Sequence, residues 1–330
     1  MRRVFKWACP AAICLALATG GRAQDEGCRR RVLPVSVIDE HRQPVIGLTT
    51  REFSGTQQGH AVEIRSVGPD QGAHRVVVVL DASAGMNRSP GQWRLARAIA
   101  ADMLRVSPKA FRAGLVVFND EVRASFPVSD DAGPAAEALK KIEPVATGPD
   151  GKPVTRTAVW DAVKQAFALL EPPRFGDAIF LITDGEDTSS KTTPAEIESL
   201  AVRRNLRLSI ALFSPGVSFP ALPVISDPAI FDVPARSGGQ VIRVESAMAT
   251  FRGRVVDYNL TPAQFKELDG AMAGLYAETQ FPMRMEIVLP EAPEKPSGWK
   301  LSIAAPKGLK IPWRVSYPTL LDACADSQPQ

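Results

Sequence analysis

Four oxygen-bearing side chains stand beside apolar runs in this chain of 330 residues, and their placement carries its clearest chemical signal. In VVVVLDASAG, Val76 to Gly85, Asp81 and Ser83 follow an unbroken aliphatic run. Thr157 lies at the head of TAVWDAV, and Asp184 closes the apolar run of AIFLITDGED. Carboxylates and hydroxyls are hard donors, suited to Mg²⁺, Mn²⁺ or Ca²⁺. One Asp and one Ser cannot hold such an ion, but three segments brought together can. Taken alone, DASAG favours a strand whose final residues simply cap the next helix.

The elements that must position these groups are legible from apolar periodicity. A short continuous Val/Leu run reads as a strand buried on both faces of a parallel sheet. Ligands in open α/β sheets bind beyond the carboxyl ends of such strands. Thr157 stands at the start of a helix whose apolar stripe comprises Val159, Val163, Phe167 and Leu170. Further helices are expected over Ser89–Val106 and Ala132–Ile142, and strands over Phe111–Phe118, Val122–Val128 as an edge, and Leu206–Phe213. This alternation predicts an α/β fold with a doubly wound, mainly parallel sheet flanked by helices. Thr147–Lys152 reads as a loop leading to Thr157, and Pro215–Pro234 as a long irregular connection.

The order DASAG, TAVWDAV, LITDGED resembles the von Willebrand factor A domain, whose metal-ion-dependent adhesion site uses D-x-S-x-S, a distant Thr and a later Asp in T-D-G. The resemblance implies that Ser83 and Thr157 ligate Mg²⁺, or Mn²⁺ or Ca²⁺, directly, with Asp81 and Asp184 acting mainly through water. Gly85 stands where the motif has its second Ser, so one hydroxyl ligand is missing. Because Mg²⁺ readily keeps several waters, the expected result is weakened binding. Asn87 and Ser89 lie nearby in sequence, with nothing to show that either substitutes.

Before the central region, VSVIDEHRQPVIGLTTREF resembles the lead-in of secreted bacterial proteins of the VWFA-related, Acidobacteria-type group. Gly47, Leu48, Thr49 and Phe53 match, and Glu52 replaces the usual Asp. Val32–Ile38, Pro44–Leu48 and Ala61–Val67 read as short strands that cannot make a large core alone. After the central region a helix is expected over Thr261–Ala277, followed by strands over Phe281–Leu289, Trp299–Ala304 and Ile311–Tyr317. These resemble the C-terminal β tail of the same group and are expected to pair with the N-terminal strands as one small β module. The expected organisation is 1–23 signal peptide, 24–73 N-terminal β module, 74–250 A domain, and 251–330 helix plus β tail.

The N-terminus sets the expectation for where the protein resides. Arg2, Arg3 and Lys6 precede an apolar stretch from Trp7 to Thr19, and Gly21-Arg-Ala23 offers small residues for cleavage, as in a secretory signal peptide. Cleavage near Ala23 removes four basic residues and no acids, taking the formal net charge from +3 to −1. The mature chain therefore carries no electrostatic signal for nucleic acid or an anionic membrane. No later stretch approaches the ~20 apolar residues of a membrane span. Secretion or periplasmic residence is expected, and that oxidising setting permits Cys28 to pair with Cys324; two free thiols in the tails are the alternative.

Enzymatic signatures are lacking. His41, His60 and His74 form no H-E-x-x-H motif, and neither a G-x-S-x-G elbow nor a phosphate-binding glycine loop occurs. The function expected is a non-enzymatic protein-binding module whose cation is completed by an acidic side chain of a protein partner. Two other readings stay open: a metal-independent structural or assembly module of the cell envelope, and a Mg²⁺-dependent hydrolase built on Asp81, Asp184, Glu186 and Asp187.

Overall fold

The computed structural model describes residues 27–87, 90–105, 111–145, 156–215, 227–251, 254–259, 261–304 and 314–324. The expected signal peptide and the Thr147–Lys152 loop lie outside them.

Three apolar runs build the centre of a seven-stranded sheet: β4 (His74–Asp81), β5 (Phe111–Phe118) and β7 (Ala178–Thr183). With β8 (Arg207–Pro215) and β9 (Val241–Phe251) they form a parallel set, and β6 (Val122–Ser129) and β10 (Arg254–Asn259) close the two edges antiparallel. The order is β10-β9-β8-β7-β4-β5-β6, which puts β4 and β7 side by side in the interior.

Successive side chains of a strand alternate between faces, so β4 feeds two cores at once. Val76, Val78 and Leu80 pack against Trp93, Ala96 and Met103 of α1 (Pro90–Arg105) and Leu139 of α2 (Gly133–Lys141). Val77 and Val79 meet Val159, Val163 and Phe167 of α3 (Val159–Leu169), with Ile197 of α4 (Pro194–Arg204) and Val233 of α5 (Ala229–Ser237) in the same layer. The final helix, α6 (Pro262–Gln280), lays Leu268, Met272 and Leu275 on the α1 side. The fold is thus the doubly wound α/β sheet expected from the alternation of elements. Among the described residues no helix is long and apolar enough to cross a membrane.

The second sheet interleaves the two ends of the chain. Its order is β13-β1-β11-β3-β2-β12-β14, every pair antiparallel, with β1 (Arg30–Ile38), β2 (Phe53–Gln57) and β3 (His60–Pro69) set among β11 (Met283–Val288), β12 (Ser297–Ile303), β13 (Arg314–Ser316) and β14 (Leu320–Leu321). The small β module therefore forms as the resemblance implied. Leu33, Val35, Phe53, Met285, Ile287 and Trp299 fill its core. A disulfide joins Cys28 to Cys324, with Cα atoms 5.6 Å apart. Arg207, buried at the start of β8, reaches this module by donating to Ser36 Oγ at 2.8 Å and to the Glu278 carbonyl of α6 at 2.9 Å.

Two expectations need correction. Pro44–Leu48 is no strand: only Pro44 bridges Ile38, because the Asp39 carboxylate accepts from the amides of His41 and Gln43 and turns the chain there. The strand is instead Phe53–Gln57, entered through a 3-10 turn at Thr50–Glu52 in which Thr49 and Glu52 cap each other reciprocally. In Pro215–Pro234, residues 216–226 lie outside the described set, but Ala229–Ser237 is helical although Pro234 sits inside it. Pro228 adopts a helical backbone just ahead of α5, and burial of Ile230 and Val233 holds the helix despite the amide that Pro234 lacks.

Candidate metal centre

Parallel pairing of Leu80 with Ile182 sets the ends of β4 and β7 level, so Asp81 and Thr183 emerge side by side and Asp184 follows. The Thr183 hydroxyl donates to Asp81 Oδ2 at 2.7 Å, the Ser83 amide donates to Asp81 Oδ1 at 2.8 Å, and the Gly185 amide donates to Thr183 Oγ1 at 3.1 Å. Asp81 is completely buried. Desolvation first, and the neighbouring Asp184 charge second, push its carboxyl up to about 7, while hydrogen bonds from Thr183 and Ser83 pull the other way. Two carboxylates that oppose each other's ionisation form a place where positive charge is favoured.

Ser83, Thr157 and Asp184 are buried as well. The Ser83 hydroxyl faces the Asp81 carboxyl but makes no hydrogen bond of proper geometry, an uncommon state for a buried polar atom and one that a hard cation would resolve. Among the described residues no group of three or more His, Cys, Asp or Glu is placed to hold a metal, so a site here depends on hydroxyls as well as carboxylates. The donor set fits a small divalent cation of the Mg²⁺ type, with Asp81, Ser83, Thr157 and Asp184 as the residues that would hold it.

Thr157 is fixed by a clamp that the motif does not contain. It precedes α3 by two residues; its amide donates to Thr188 Oγ1 at 2.9 Å, and its carbonyl accepts from the amides of Thr188 and Ser189 at 2.9 and 3.0 Å. The Ala158 amide donates to the Asn119 carbonyl, at the end of β5, at 2.7 Å. The first amides of a helix lack partners within it. Here Asp187 Oδ1 accepts from Val159 N at 2.8 Å and Ser190 Oγ accepts from Trp160 N at 2.9 Å. The Asp161 carboxylate returns the connection by accepting from the amides of Lys191 and Thr192. The loop after β7 thus caps α3 and sets Thr157 in place.

This clamp assigns Asp187 a capping role. Asp-Thr-Ser-Ser at 187–190 was its only sequence signal, since Asp, Thr and Ser are helix-capping types, but the helix they cap lies earlier in the chain. Gly85 lies at the β4 end of the site, and a Cβ built on it would stand 2.0 Å from Asp184 Oδ2. Asn87 is exposed, and Ser89 lies outside the described residues.

The fold and site together define a doubly wound α/β domain with an oxygen-donor centre at the carboxyl ends of its middle strands. Residues 76–186 match the family model of the von Willebrand factor type A domain. Among solved structures the chain is similar to the conserved hypothetical protein BatB from Bacteroides thetaiotaomicron, at 19% identity over 61% of this chain and 98% of that one, with a TM-score of 0.42. It is similar to a von Willebrand factor type A protein from Catenulispora acidiphila at 10% identity, covering 90% and 75% of the two chains, TM-score 0.44. It is also similar to proximal thread matrix protein 1 from the mussel byssus, solved with a zinc-occupied MIDAS motif, at 17% identity over 65% and 47%, TM-score 0.43. No curated protein matched the chain.

Proposed function

We propose that this is an exported, non-enzymatic protein-binding module in which the A domain offers a divalent cation to an acidic group of a partner protein. The buried Ser83 hydroxyl without a hydrogen bond of proper geometry, beside the opposed carboxylates of Asp81 and Asp184, is the observation that carries the reading. When bound, the cation would supply a Lewis-acidic coordination position for a partner's carboxylate. Asp81 anchors the Ser83 turn through its amide, Thr183 holds Asp81, and the loop from Asp187 to Ser190 holds Thr157. Export rests on the N-terminal segment ending near Ala23.

Isothermal titration of the mature protein with Mg²⁺, Mn²⁺ and Ca²⁺ tests the cation, and binding is expected to fall on Asp184→Ala. Capture of envelope proteins with and without chelator tests the bridge: a chelator-sensitive partner is expected, and an identical set in both arms removes the metal from the mechanism. The Gly85 position favours a second reading, a metal-independent assembly module of the cell envelope, which predicts no heat with any of the three ions.

A further inference from the structure

We propose that Asp184 takes over the coordination place of the missing motif hydroxyl, binding the cation directly through its carboxylate, and that Gly85 is needed to leave room for it. The proposal rests on the cation-binding reading above. At first sight Gly85 is a simple loss of one ligand. The geometry says otherwise, because the volume a side chain at 85 would occupy is filled: its Cβ would lie 2.0 Å from Asp184 Oδ2 and 3.0 Å from Asp184 Cγ. Real side chains do not approach so closely, so any residue other than glycine here displaces the carboxylate.

The orientation of Asp184 is itself set locally. The Glu186 amide donates to Oδ1 at 3.2 Å, and Gly185 takes a positive φ of 84°, a turn that glycine adopts without steric penalty. Oδ2 is then the oxygen that reaches the β4 turn at Gly85. The buried Ser83 hydroxyl, which lacks a hydrogen bond of proper geometry, stands two residues before Gly85, an independent sign that this turn faces a ligand. A carboxylate in place of a hydroxyl keeps an oxygen donor in the shell and adds one negative charge to it. Gly85 and Asp184 thus act as a linked pair: the glycine is the space, and the carboxylate is the ligand.

The test is a double-substitution cycle read by calorimetric Mg²⁺ titration of the mature chain, with unfolding in chelator confirming that each variant is folded. Gly85→Ser restores the D-x-S-x-S pattern, yet it is expected to bind Mg²⁺ about tenfold more weakly, because the serine evicts Asp184. Gly85→Ala, which adds the Cβ without a hydroxyl, is expected to weaken binding too. In an Asp184→Ala background the sign reverses, and Gly85→Ser strengthens binding because the hydroxyl now has room. A crystal structure with Mg²⁺ is expected to place an Asp184 oxygen at about 2.1 Å from the ion. Tighter binding by Gly85→Ser with Asp184 present, or a water between Asp184 and the ion, overturns the proposal and leaves the cation-binding reading standing. Absence of Mg²⁺ binding in every variant, wild type included, overturns both.

Discussion

The hydroxyl of Thr183 stands between the Asp81 carboxylate, to which it donates, and the Gly185 amide, from which it accepts. Thr183→Val keeps the shape and strand preference but takes one hydrogen bond from a fully buried carboxylate and leaves the Gly185 amide without its acceptor. The expected loss is about 1–3 kcal/mol of stability, read as a lower urea midpoint. Asp81 adds a pH dependence of definite sign. Its carboxyl titrates at 3.8 in the reference state and at about 7 in the fold, so between those values the unfolded chain has released a proton that the folded one retains. In chelator, stability is therefore expected to fall from about pH 4 to about pH 7, and Asp81→Asn should flatten that slope in unfolding curves taken across the range. Asp81, Ser83 and Asp184 were legible because a strand end announces itself in sequence. At Gly85 the sequence shows only a hydroxyl missing from a motif; that the Asp184 carboxylate stands where a side chain there would go is a relation in space that the sequence does not carry.

At the scale of elements, the decisive piece is the loop between β7 and α4, which satisfies the amides of α3 across more than twenty residues of intervening chain. Ser190→Ala removes the acceptor for Trp160 and Asp161 and is expected to lower stability by about 0.5–2 kcal/mol in urea unfolding. It should also weaken calorimetric Mg²⁺ binding, by up to about tenfold, since the loop that holds Thr157 loses one of its fastenings to α3 while the contacts of Thr188 and Ser189 to Thr157 remain. Continuous apolar strands and the amphipathic stripe of α3 could be read directly, because burial imposes their periodicity. The capping loop could not, since its Asp and Ser bond to amides of a distant segment. α5 hid for the opposite reason: Pro228 and Pro234 signal irregular chain locally, and tertiary burial of Ile230 and Val233 overrides them.

Across the whole molecule, two sheets meet at Arg207, whose guanidinium is buried and pushed down to about 10 by desolvation, with Glu278 acting against that shift. The small sheet has its own fastening, the Cys28–Cys324 disulfide beside β1 and β14. Cys28→Ser with Cys324→Ser is expected to destabilise by about 2–4 kcal/mol. Hydrogen exchange should show the loss confined to β1, β11 and β14, with β4, β5 and β7 keeping their protection. The expected pairing of the two chain ends was legible only through resemblance, because seven short strands of mixed sequence origin leave no continuous local pattern. The interleaving also sets a timetable for synthesis. β1 pairs with β11 from Arg30 against Val288, a partner that leaves the ribosome about 250 residues later, or tens of seconds at roughly 5–20 residues per second. The strands of the larger sheet emerge within that interval, so β1 has no partner edge until they have been made, and the small sheet cannot close before the segment carrying β11 to β14 is present.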